Sequence, residues 1–100
     1  MKEQQKLELL MLHLDEEASI LEIFRALCRQ SDTESPEQSK QWIMDHIMTM
    51  AEGGTLGFYI DEFGARDVVE CDIAQARELL AQEDVWALSS ETMLHIYPIS

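Results

Sequence analysis

One helix in this chain is punctuated at both ends. Ser35 stands at an N-cap position, Pro36 follows at the first helical position, and Gln38 completes a capping box. Gly53-Gly54 supplies the stop. Between them Trp42, Ile43, Ile47, Met48 and Met50 recur at helical spacing. Directly after the stop comes Leu56-Gly57-Phe58-Tyr59-Ile60, apolar, aromatic and too short for a helix, so it reads as a strand. The middle of the chain is therefore helix, sharp stop, strand. Whatever lies on either side must pack against that unit.

The first thirty residues are helical in pattern, with Leu7, Leu10, Leu14, Leu21, Phe24 and Cys28 at heptad-like positions and Glu17 as the one breach. Either one helix runs from about Glu3 to Gln30, or two helices break near Asp15. The break is the better reading. Asp15 can cap a second helix, and Asp15-Glu16-Glu17 places negative charge at its positive end. Ala18, Ile20, Leu21, Ile23, Phe24, Leu27 and Cys28 give that second helix a wide apolar face, so it should be central to the core. Beyond the first strand, Asp61 to Arg66 reads as a turn. Val68-Val69 is a short second strand or simply the returning chain. Asp72 caps a further helix with Gln75 three residues on, and Met93 to Tyr97 closes as a strand that Pro98 and Ile99 end.

The expected architecture is thus α+β in a single domain of residues 1–100: three N-terminal helices, then an antiparallel strand pair with a helical insertion. The run from Ser35 to Ile60, then Ala76-Arg77-Glu78-Leu79-Leu80-Ala81, Trp86 and the closing strand, resembles small acidic bacterial winged-helix-like proteins. The resemblance covers about two thirds of the chain and implies a fold, with no catalytic residues to carry over.

Charge narrows the function classes. Twenty acidic residues stand against seven basic ones in 100, a net charge of -13. Nucleic acid and anionic membranes would repel such a chain, and basic protein surfaces would attract it. The third helix, where a winged helix would read DNA, carries Glu37, Asp45 and Glu52 against Lys40 alone. A specific binder typically makes about six to ten phosphate contacts. Residues 30–100 hold fourteen acids and three bases. Direct DNA binding is therefore not expected. The N-terminal apolar stretch from Leu7 to Leu14 is too short to span a bilayer and no small-residue cleavage site follows it, so the expectation is a soluble, cytoplasmic chain.

No chemistry-bearing motif emerges. His13, His46 and His95 are not spaced as metal ligands, and Cys28 and Cys71 form no Cys-x-x-Cys pair. Both cysteines read as buried, reduced thiols. Cys28 lies in an apolar run, and Cys71 sits between Glu70 and Asp72, settings that disfavour a thiolate. His46 should stack on Trp42, and His95 should face solvent. Gly53, Gly54 and Gly57 lack the Lys-Ser/Thr of a phosphate loop, and Asp61 to Asp67 lacks a calcium-loop pattern. No catalytic residue, cofactor or metal is expected.

The expectation that remains is a non-enzymatic protein-binding module of the immunity, antitoxin or inhibitor type. Asp61 to Glu91 holds nine acids and two arginines, a face suited to a basic protein partner. Asp61, Glu62, Phe63, Asp67 and Glu70 are its candidate contact residues. A dimeric winged-helix adaptor, joined through Leu7, Leu10 and Leu14, is the alternative.

Overall fold

The computed structural model describes residues 2–30, 35–62, 66–87 and 92–99. In chain order they form α1 (Glu3–Asp15), α2 (Ile20–Gln30), α3 (Pro36–Glu52), β1 (Leu56–Glu62), β2 (Val69–Cys71), α4 (Ile73–Leu80), a 3₁₀ turn at Asp84–Trp86, and β3 (Thr92–Pro98). Among the described residues the fold is α+β, with four α-helices and an antiparallel sheet ordered β2-β1-β3.

The punctuation around α3 acts as its residues dictate. Ser35 Oγ accepts from the Gln38 N–H at 3.2 Å, and Gln38 Oε1 accepts from the Ser35 N–H at 2.8 Å. At the other end Gly54 takes φ +78°, the Gly54 N–H reaches the Ala51 carbonyl, and the Thr55 N–H reaches Met50, each at 3.0 Å. That crossed pair of bonds is a Schellman stop, and it turns the chain straight into β1. Asp72 and Gln75 cap α4 in the same reciprocal way.

The N-terminal segment is two helices, as preferred, but Asp15 is not the second cap. Asp15 is the last residue of α1. Ser19 does the capping instead: its Oγ accepts from the Glu22 N–H at 3.2 Å and its carbonyl from Ile23. The break is made at Glu17, which has φ 53°. A left-handed non-glycine residue is uncommon and cannot continue a helix. The heptad breach in the sequence is thus the hinge of the turn.

The heptad reading holds in part: Leu10, Leu14 and Leu21 are buried, but Leu7 is exposed. The buried residues of α2 are Ile20, Leu21, Ile23, Ala26 and Leu27, and Cys28, expected to be buried, is exposed. In α1 the buried stripe is Lys6, Leu9, Leu10 and Leu14. Leu10 and Leu14 are 0% and 2% exposed within the chain's own core. They are therefore unavailable as a dimer stripe, and of that trio only Leu7 is exposed. Lys6 reaches out with Nζ 5.7 Å from the Trp42 ring.

The expected strand pair is a three-stranded sheet, because Val69–Cys71 pairs with Phe58–Ile60 before α4 begins. The helical insertion therefore separates β2 from β3. On the inner face Leu56, Phe58, Leu94, Ile96 and Cys71 meet Ile20, Ile23, Ile43 and Ile47 of the helices in one apolar cluster. Trp86 closes the layer, edge-on to Phe24 at 5.4 Å and donating from Nε1 to the Leu80 carbonyl at 3.1 Å.

Candidate functional site

Strand alternation divides β1 and β3 into two rows. The inward row is the core. The outward row carries Gly57, Tyr59 and Asp61 opposite Tyr97, His95 and Met93, with Glu70 of β2 beside Tyr59. Tyr59 stacks on His95 with ring centroids 4.8 Å apart and planes 6° apart, and Tyr97 lies 6.1 Å from Tyr59. The Tyr97 hydroxyl donates to the Glu70 carboxylate. Its ring covers Gly57: a Cβ there would fall 2.4 Å from Tyr97 Cζ, so only glycine admits this approach.

The turn between α1 and α2 lies against this row. The Glu17 carbonyl accepts from His95 Nδ1–H at 2.8 Å and from the Tyr59 hydroxyl at 3.4 Å. His95, expected to face solvent, is on the outer face but its side chain is only 15% exposed, because that turn covers it. The bond to a carbonyl fixes the proton on Nδ1. Nε2 then points toward Asp61 Oδ2 at 3.9 Å, too far for a hydrogen bond, and is buried without a partner among the described residues.

Both tyrosine hydroxyls hold their protons more tightly than usual. For Tyr97 the Glu70 hydrogen bond is the main cause, followed by burial and the Glu70 charge. For Tyr59 burial leads, followed by the charges of Glu17, Asp61 and Glu22. Burial, and secondarily Asp72, pushes the Cys71 thiol up. Cys71 lies on the core face, away from His95, and Cys28 lies on α2. The described residues therefore bring no thiol to an imidazole. They also hold no group of three or more His, Cys, Asp or Glu placed to bind a metal. No described helix is long and apolar enough to cross a membrane.

Of the contact residues expected from sequence, Asp61 and Glu62 end β1, while Asp67 and Glu70 lead into and lie on β2. All four are exposed; Asp61 and Glu70 belong to the outward row with Tyr59, whereas Glu62 alternates to the opposite face and Asp67 precedes β2. Phe63 lies outside the described residues. Among the described residues none of the four pairs with a lysine or arginine; Asp61 has only the distant His95, and Glu70 has Tyr97. Sequence reasoning placed Tyr59 on a strand and His95 toward solvent but did not join them to each other, to Tyr97 or to the Glu17 carbonyl. The alternation in β1 and β3 signalled that the three rings share a face, but only the strand register stacks them.

The third helix turns an acidic and amide surface outward: Glu37, Gln38, Gln41, Asp45 and Glu52 are exposed. Its one cation, Lys40, sits with Nζ 5.5 Å from the Phe24 ring and 5.7 Å from the Trp86 ring. As expected, His46 stacks on Trp42, at 4.1 Å. Both rings meet Glu3 of α1: Trp42 Nε1–H donates to its carboxylate at 2.9 Å, and His46 Nε2 lies 3.1 Å from it, so these groups fasten α1 to α3. Comparison with known proteins finds no matching family model, no similar curated protein and no similar solved structure.

Proposed function

We propose that this chain is a non-enzymatic, cytoplasmic protein-binding module that docks its acidic β1–β2 side on a basic protein. The observation that carries the reading is that Asp61, Glu62, Asp67 and Glu70, on or beside β1 and β2, are each exposed and matched by no lysine or arginine among the described residues. Such a surface attracts cations of a partner and speeds encounter with it. The engagement of Lys40 with Phe24 and Trp86 weighs in the same direction, since it leaves α3 without a cation turned toward phosphate.

A winged-helix adaptor acting through protein contacts is the second reading. It is favoured by the bridge between Ser19 and His95, which inserts a one-residue strand contact between α1 and α2. With it the order becomes helix, strand contact, helix, helix, strand, and a returning strand with an insertion, in keeping with the family resemblance.

Affinity capture from the native host under rising salt tests the proposal. The expected outcome is a basic protein whose retention falls with salt, because exposed charges are screened within about 10 Å at 0.1 M, and whose binding is abolished by reversing Asp61, Glu62 and Asp67 to lysine in a folded variant. Sequence-selective DNA binding at low salt would sink it. Salt-insensitive self-association would favour the adaptor.

A further inference from the structure

The two edges of the sheet are not finished alike. At β3 the outer edge is occupied: the Ile96 N–H donates to the Ala18 carbonyl at 3.2 Å, and Ser19 bridges His95. At β2, no further strand pairs with the outer edge among the described residues. β2 is short and bears one charged residue, Glu70, but it has neither lysine nor proline to guard its edge. Val68 and Val69 are 54% and 62% exposed. Val69 faces the same side as buried Cys71 and Phe58, so it is a core-face position that the helices do not cover. Glu70 faces the opposite, aromatic side. β2 also stops short. It pairs only with Phe58–Ile60, and an open hollow of about 480 Å³ lies where it ends, against Gly57, Cys71, Ile73 and Tyr97.

We infer that β2 is a docking edge for an extended segment of the basic partner, which adds as a fourth antiparallel strand. The inference rests on the protein-binding reading above and names its contact. Main-chain bonds to β2 supply affinity, and the two faces supply selectivity. The incoming segment must alternate, with apolar residues on the side of Val69 and Cys71 and lysine or arginine on the side of Glu70, flanked by Asp67 and Asp72. A second copy of this chain fits poorly. A two-fold pairing centred on β2 sets Glu70 directly opposite Glu70, and like charges across a strand pair repel.

A blocked peptide of about eight residues alternating lysine and valine is titrated into the intact chain at low salt, with amide shifts followed by NMR. A second peptide, methylated at every amide nitrogen, keeps the charges and loses the donors. The expected result is shifts confined to Val68–Asp72 and neighbouring β1, and about tenfold weaker binding of the methylated peptide, the equivalent of one or two main-chain hydrogen bonds. Val69→Lys, at an exposed position, should weaken binding of the first peptide and leave the fold intact by its amide spectrum. Equal binding of both peptides, or shifts on α1 or α3, overturns the docking edge while leaving an acidic binding module. Binding of neither overturns both. Sedimentation of the chain alone as a dimer, with β2 amides protected, assigns the edge to a second copy and overturns the proposal.

Discussion

The β3 edge and the β2 edge belong to one sheet of three strands, yet they are finished by opposite means. β3 is seven residues long, and the α1–α2 turn lies along it, with the Glu17 and Ala18 carbonyls taking His95 Nδ1–H and the Ile96 N–H. β2 is three residues long and opens on exposed Val69, with exposed Val68 just before it. Burial follows the same division: Leu94 and Ile96 are 0% exposed, whereas Val69 is 62% exposed. The difference teaches that the core rests mainly on β3 and reaches β2 through Cys71, while Val69 beside it stays uncovered.

Truncation should break the symmetry most plainly. Ile96→Ala is expected to cost about 2–5 kcal/mol, and Val69→Ala less than about 0.5 kcal/mol, both read from urea unfolding. Comparable losses would mean that β2 is as integral as β3. Next is the turn that closes β3. Glu17 is held at φ 53°, where a side chain costs roughly 1–2 kcal/mol and a β-branched one fits worst. Glu17→Val should lower the thermal midpoint and Glu17→Gly should preserve or raise it; the reverse order would deny the strain at this turn.

A smaller effect is expected where the outward row meets β2. Gly57→Ala must displace the Tyr97 ring and so break its bond to Glu70. The expected loss is about 1 kcal/mol, together with changed fluorescence of Tyr97. The smallest effect is a titration. The Tyr97 phenol is raised above its ordinary 10.0, first by the Glu70 hydrogen bond. Between that value and the raised one, the folded chain keeps a proton that the unfolded chain has released. Stability therefore falls as pH climbs through this window, and below it the group contributes no pH dependence. Glu70→Gln should bring the phenolate absorbance of Tyr97 in at lower pH; an unmoved titration would detach Tyr97 from Glu70.

What could be read from the chain divides by range. The caps of α3 and α4 were legible because each is a bargain between residues three apart, complete before any tertiary contact forms. The cap of α2 was misread: Asp15-Glu16-Glu17 carries the stronger charge signal, but Ser19 is the residue standing where the helix restarts after the left-handed Glu17. The wide apolar face of α2 was legible, since Ile20, Leu21, Ile23 and Leu27 are buried; its edge was not, because Cys28 continues the apolar pattern yet is exposed. The acidic residues Asp61, Glu62, Asp67 and Glu70 were legible as charge, but that Asp61 and Glu70 share the outward row with Tyr59 was not.

By itself the sequence determined the helix borders at residues 35–54 and 72–80, the presence of β1 and β3, and the surplus of negative charge, since each depends on near neighbours or on simple counting. Tertiary structure alone decided that Leu10 and Leu14 face inward, that three residues of β2 complete the sheet, and that Tyr59, His95 and Tyr97 share one face. Those outcomes depend on register and packing between segments far apart in the chain, where every alternative has the same local signals and only the burial achieved tells them apart.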